Sequence, residues 1–160
     1  MNKLFGSALG LIVLFASGCA SPGPKYSSVR HDIPALKAGE GRIYVYRQPA
    51  FLNMGAGLQP DVDLNGKVIG TARVDVVTFI DVAAGTYKIS CTTEKTNELE
   101  LTVTAGETKY VRLVPYVGII IGHIDPQLVS QNEGEDAIQD MALVMPKQMH
   151  NRVPASLITK

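Results

Sequence analysis

The chain of 160 residues contains no Trp, only 2 Cys and no excess of either charge, with 15 Lys+Arg against 15 Asp+Glu. Nor has it an apolar run near the ~20 residues that a membrane-spanning helix needs. Each shortage closes a class. Two thiols cannot build the cross-linked framework of a disulfide-rich mini-protein. A balanced charge is a poor match for nucleic-acid phosphates, which select a basic excess. The apolar fraction of 46% is too high for a disordered chain, so one folded domain is expected.

What is present begins with an address. Met1-Asn2-Lys3 supplies one positive charge, Leu4 to Ala16 is apolar or small, and Ser17-Gly18-Cys19 follows. This is the pattern of a secretory signal segment. The junction Ala16-Ser17-Gly18-Cys19 resembles the bacterial lipobox, which implies cleavage of residues 1–18 and lipidation of Cys19 as the new N-terminus. Acyl chains such as palmitate gain ~0.8 kcal/mol per inserted methylene, so more than one chain tethers a protein stably without spanning. Ala20, and not Asp, follows the Cys; by the same resemblance the expected location is the outer membrane, facing the periplasm. Residues 19–40, with Pro22, Gly23, Pro24, Ser27, Ser28, Pro34 and Gly39, have no apolar period and read as a flexible tether.

Residues 41–145 read as the folded domain. Arg42-Ile43-Tyr44-Val45-Tyr46-Arg47 is apolar on both faces, as a central strand requires. Asp61 to Leu64 alternates into Asn65-Gly66, a strong hairpin cue, and Lys67 to Gly70 returns. Strands follow from Asp75 to Val82, around Tyr87, from Asn97 to Thr104 and from Glu107 to Val114. Tyr87, Ile89 and Cys91 alternate with Thr86, Lys88 and Ser90, which makes Cys91 a small core residue and not a nucleophile. Tyr116 to Ile124 is nearly chargeless and bracketed by Pro115 and Pro126; it is expected as a core strand, the alternative being a strand covered by a partner. Near the end the period changes: Asn132 offers a cap, and Ala137, Ile138, Met141, Ala142 and Met145 recur at helical spacing. Residues 146–160 read as a frayed tail. The expected fold is an antiparallel, immunoglobulin-like β-sandwich with one C-terminal amphipathic helix.

Candidate chemistry is thin. Asp61, Asp63, Asn65 and Gly66 copy half of a calcium loop, but Ala72 stands where a bidentate Glu belongs and the flanks read as strands, so no metal is expected. His31, His123 and His150 lie far apart, and no Ser has a nucleophile-elbow context. No cofactor and no catalytic set is expected. The segment Pro49 to Leu58 is apolar where a loop should be polar. Phe51, Leu52, Met54 and Leu58 either plug one end of the sandwich or contact a partner.

Gly41-Arg42-Ile43-Tyr44-Val45-Tyr46-Arg47, Asp63-Leu64-Asn65-Gly66-Lys67-Val68-Ile69-Gly70, Phe79 to Tyr87 and Val103 to Arg112, in that order, resemble a family of small bacterial lipoproteins described as domain of unknown function twenty-eight forty-six. The resemblance covers about residues 41 to 142 and implies a β-sandwich on a lipid anchor, without catalytic residues to carry over. The expected function is a non-catalytic, membrane-anchored module that binds or scaffolds an unidentified envelope protein. The alternatives are a lipoprotein similar to those anchoring secretion apparatus and, further off, a cell-wall or lipid hydrolase.

Overall fold

Ile43, Tyr44, Val45 and Tyr46 carry apolar side chains to both faces of one strand, which only the middle of a covered sheet can satisfy. The computed structural model, which describes residues 22–51 and 55–153, buries all four there. Among the described residues the strands are β1 (Glu40–Arg47), β2 (Asp61–Leu64), β3 (Lys67–Thr71), β4 (Val76–Ala83), β5 (Gly85–Thr92), β6 (Thr96–Val103), β7 (Thr108–Tyr116), β8 (His123–Val129) and β9 (Ala142–Leu143). They form a five-stranded sheet ordered β8-β7-β1-β4-β9 and a four-stranded sheet ordered β3-β2-β5-β6. One core cluster takes side chains from both, including Tyr44, Phe79 and Val111 from the first and Val62, Ile89 and Leu101 from the second. Cys91 belongs to that core and is nearly inaccessible.

The larger sheet is mixed, not antiparallel throughout. β1 runs parallel to β7, with Arg42 opposite Thr108 and Tyr46 opposite Arg112, and β4 runs parallel to β9. Parallel neighbours need long connections, and these partners lie tens of residues apart in the chain. Hairpin cues in the sequence therefore report only local pairs, such as the turn at Asn65 (φ 50°) and Gly66 (φ 77°) between β2 and β3.

Both ends of the domain reach further than the sequence suggests. A short helix, α1 (Tyr26–Val29), docks inside the stretch read as tether. Lys25 forms a β-bridge with Ala142, the Tyr26 amide donates to Met141 O at 2.9 Å, and the Leu143 amide donates to Pro24 O at 2.8 Å. The Tyr26 ring meets Tyr44 edge to face at 5.6 Å. One buried aromatic, with Val29 and Ile33 packed beside it and several backbone bonds, seats this segment, and so few apolar residues leave no period to detect. At the other terminus Met149 is 2% exposed, and Arg152 pairs with Glu40 at 2.5 Å, so the chain is seated as far as residue 153.

The late helix α2 spans Gln131–Ile138 and is shorter than expected. Ser130, and not Asn132, caps it by accepting the Glu133 amide. Ala142 and Leu143 leave the helical path to pair with Val76 and Val77. Met141 and Met145 are buried all the same, so spacing that reads as one helical face is filled by a helix end followed by a bridge.

An apolar tip as the candidate functional site

β1, β7 and β8 converge at one end of the larger sheet, and the loops leaving them carry the site. β7 ends at Tyr116 and β8 begins at His123, so Val117 to Gly122 is a loop. The core strand expected over Tyr116 to Ile124 is not formed. Ile119 is 99% exposed, Val117 81% and Ile120 84%, and Ile121 is also exposed. The cause is local. Gly122 adopts φ +92°, a conformation that favours Gly, and a Cβ at Gly118 would overlap the Glu94 carboxylate. The two prolines do not interrupt pairing: Pro126 lies on the edge strand, and Pro115 lies beyond the part of β7 that β1 pairs.

Glu94, in the turn between β5 and β6, sets the loop's shape. Its carboxylate accepts the backbone N–H of Ile119 (3.0 Å), Ile120 (2.9 Å) and Ile121 (3.3 Å). These amide bonds, the one from Ile120 foremost, hold its pKa below the ordinary carboxylate value. Three successive donors are thus satisfied by a carboxylate from a neighbouring turn while their side chains are exposed. Below the loop, Tyr116 and His123 stack at 5.5 Å, and Asn97 Nδ2 donates to Ile124 O at 2.8 Å.

The adjacent loop after β1 is held by a second device. Arg47 is buried, and its guanidinium donates to Leu58 O, to Ala72 O at 2.7 Å and to Gly55 O at 2.6 Å. Burial lowers its pKa, and the carbonyl dipoles compensate a charge that has no carboxylate partner among the described residues. Between the two loops lies a shallow cleft of about 250 Å³ lined by Leu58, Tyr116, Val117, Ile120 and Ile121.

The expected contact residues divide here. Phe51 is 79% exposed and plugs nothing, whereas Leu58 is half-buried against the core. Leu52 and Met54 lie outside the described residues, as does Cys19. The Ile triplet joins this surface although its sequence reads as core; the clue was its pair of glycines, which suit a loop better than a strand interior. The arrangement offers apolar surface. Cys91 is shut inside, and burial pushes its thiol pKa up to about 12, so the sulfur stays protonated at neutral pH. Among the described residues no group of three or more His, Cys, Asp or Glu could hold a metal ion, and no helix is long and apolar enough to cross a membrane.

Fold and site together define a mainly β protein of two sheets with an apolar tip borne on loops. Residues 37–120 match the family model described as "Protein of unknown function (DUF2846)", and the chain belongs to that family. The matched span runs from just before β1 into the exposed loop. A protein of Haemophilus influenzae, described as an uncharacterized protein, is 26% identical over 150 residues, covering 91% of this chain and 88% of the relative. No solved structure matches the chain.

Proposed function

We propose that this protein is a lipid-anchored, non-catalytic module of the bacterial envelope, acylated at Cys19 and facing the periplasm from the outer membrane. Its two sheets are read as an immunoglobulin-like sandwich whose apolar tip contacts another envelope component. The observation that carries the contact is the tip itself: exposed isoleucines whose amides are bound by the solvent-exposed Glu94 carboxylate, beside a loop held by a buried guanidinium. Such fixed exposure of apolar surface suits recognition and would be costly to solubility without a use. The anchor is supported by the signal-like start and the Ala16-Ser17-Gly18-Cys19 junction. Cells fed an alkyne-bearing fatty acid are expected to label the unsubstituted protein and not Cys19→Ser. Equal labelling of the two, or none of either, would remove the anchor.

A further inference from the structure

We propose that the flank between β3 and β4 is a ligand site, a cleft that takes a medium-chain aliphatic carboxylate. It shares no residue with the cleft at the tip, and it does not depend on the anchor.

On this flank neither sheet continues: β3 is the edge strand of the smaller one, and β4 is followed only by the two residues of β9. Between them lies a cleft of about 410 Å³, within the roughly 300–1,000 Å³ usual for small-molecule sites. Val68 to Thr71 of β3 form one wall, and Val76 and Thr78 of β4 form another. The segment from Val144 to Gln148 completes it. That segment is fixed at both ends, the Val144 amide donating to Val77 O at 2.9 Å and Gln148 Nε2 to Val68 O at 2.7 Å. Gly70 leaves the room, since a Cβ there would meet only Thr78 Cγ2, at 3.9 Å. β3 is five residues long, about 17 Å, so the trough beside it suits an elongated occupant.

The lining decides the ligand's chemistry. Ile69, Val76, Val144, Met145 and Pro146 offer hydrocarbon, and the two charged groups are both cations, Arg73 and Lys147. Each is exposed, and neither joins an ion pair among the described residues. No Asp or Glu among the described residues lines the cleft. Arg73 follows the end of β3, whereas Lys147 adjoins Gln148, which is bonded near its start, so one cation serves each end of the trough. Thr78 Oγ1 is buried without a hydrogen-bond partner among the described residues, and an oxygen of the ligand would supply one. An extended peptide fits these walls less well. Pro146 has no N–H to offer, Val68 O is already taken, and peptide groups buried without partners are costly. A hydrocarbon chain asks for none, and its carboxylate meets charge of the opposite sign at the mouth.

Membranes from cells producing the full-length chain are irradiated with a decanoate analogue bearing a mid-chain diazirine, and the adducts are located by peptide mass mapping. They should fall on residues 68–71 and 144–148 and disappear under excess decanoate. Butyrate should not compete, and decanol should compete about tenfold less well than decanoate. Arg73→Gln combined with Lys147→Gln, both at exposed positions, should raise the decanoate concentration for half-competition about tenfold and leave that for decanol unchanged. Gly70→Leu should fill the cleft and abolish the adducts there; Gly70 has no positive φ to forbid a side chain. Thermal unfolding checks that this variant folds, and should it not, the paired charge substitutions decide. Decanol competing as well as decanoate, or labelling of the double variant equal to that of the unsubstituted chain, would overturn the proposal. Adducts confined to the loop of Ile119, Ile120 and Ile121 would assign the acyl chain to the tip and overturn it as well.

Discussion

Two side chains of opposite charge shape the tip by the same means, each spending its charge on backbone groups. Arg47 gives its donors to carbonyls from two loops, and Glu94 takes amides from one. They differ in what protonation can change. Guanidinium stays charged at any accessible pH even with its pKa lowered. The Glu94 carboxyl titrates. Its folded pKa lies below the ordinary value of 4.5, so the clasp contributes fully above that value and is lost as pH falls through the lower, folded one. The amide proton shifts of Ile119, Ile120 and Ile121 should therefore move together on acidification, with one midpoint below 4.5. In Glu94→Gln the three signals should not share such a transition. A titration in which they moved independently, or not at all, would mean that the carboxylate does not organise the loop.

At the level of elements, legibility followed the range of the interaction that decides each one. β1, the Asn65–Gly66 hairpin and the alternating pair β5 and β6 were readable because period and turn chemistry are local. The parallel partners were not, since nothing near β1 in the chain announces β7. Phe51 and Leu58 drew attention as apolar residues in a loop. The isoleucines of the tip stand out too, but as a strand, buried or covered by a partner, because β-branched residues in a row look like one until Glu94, many positions earlier, is seen to bind their amides. Tyr26 was missed for the opposite reason, being one aromatic among prolines, glycines and serines. Its role is testable. Tyr26→Ala removes the ring that meets Tyr44 and should destabilise the fold by about 2 to 4 kcal/mol, read from the urea midpoint. It should also expose the Leu143 amide, now bonded to Pro24 O, to faster hydrogen exchange. Unchanged exchange there would mean that the N-terminal segment is held by other contacts.

For the molecule as a whole, the two termini close the fold on the side away from β8. The N-terminal segment lies against β9, and the C-terminal one crosses from sheet to sheet. Gln148 Nε2 donates to Val68 O of β3 at 2.7 Å, Met149 enters the core, and Arg152 reaches Glu40 of β1. At that end the charges are paired: Arg42 binds Asp81 at 2.6 and 3.0 Å and lies 4.4 Å over the Phe79 ring, with Arg152 3.8 Å from the same carboxylate. The ends of the domain thus differ, one closed by the C-terminal segment and its ion pairs, the other presenting exposed isoleucines beside Glu94. If the C-terminal segment is structural in this sense, a substitution in it must be felt by both sheets at once. Met149→Ala should cost about 2 to 4 kcal/mol and lower Tm by roughly 5 to 15 °C for a domain of this size. Near- and far-ultraviolet dichroism should fall in one coincident transition, because a shared core unfolds as a unit. A frayed tail would predict no change in Tm, and two separated transitions would show that the sheets hold together without it.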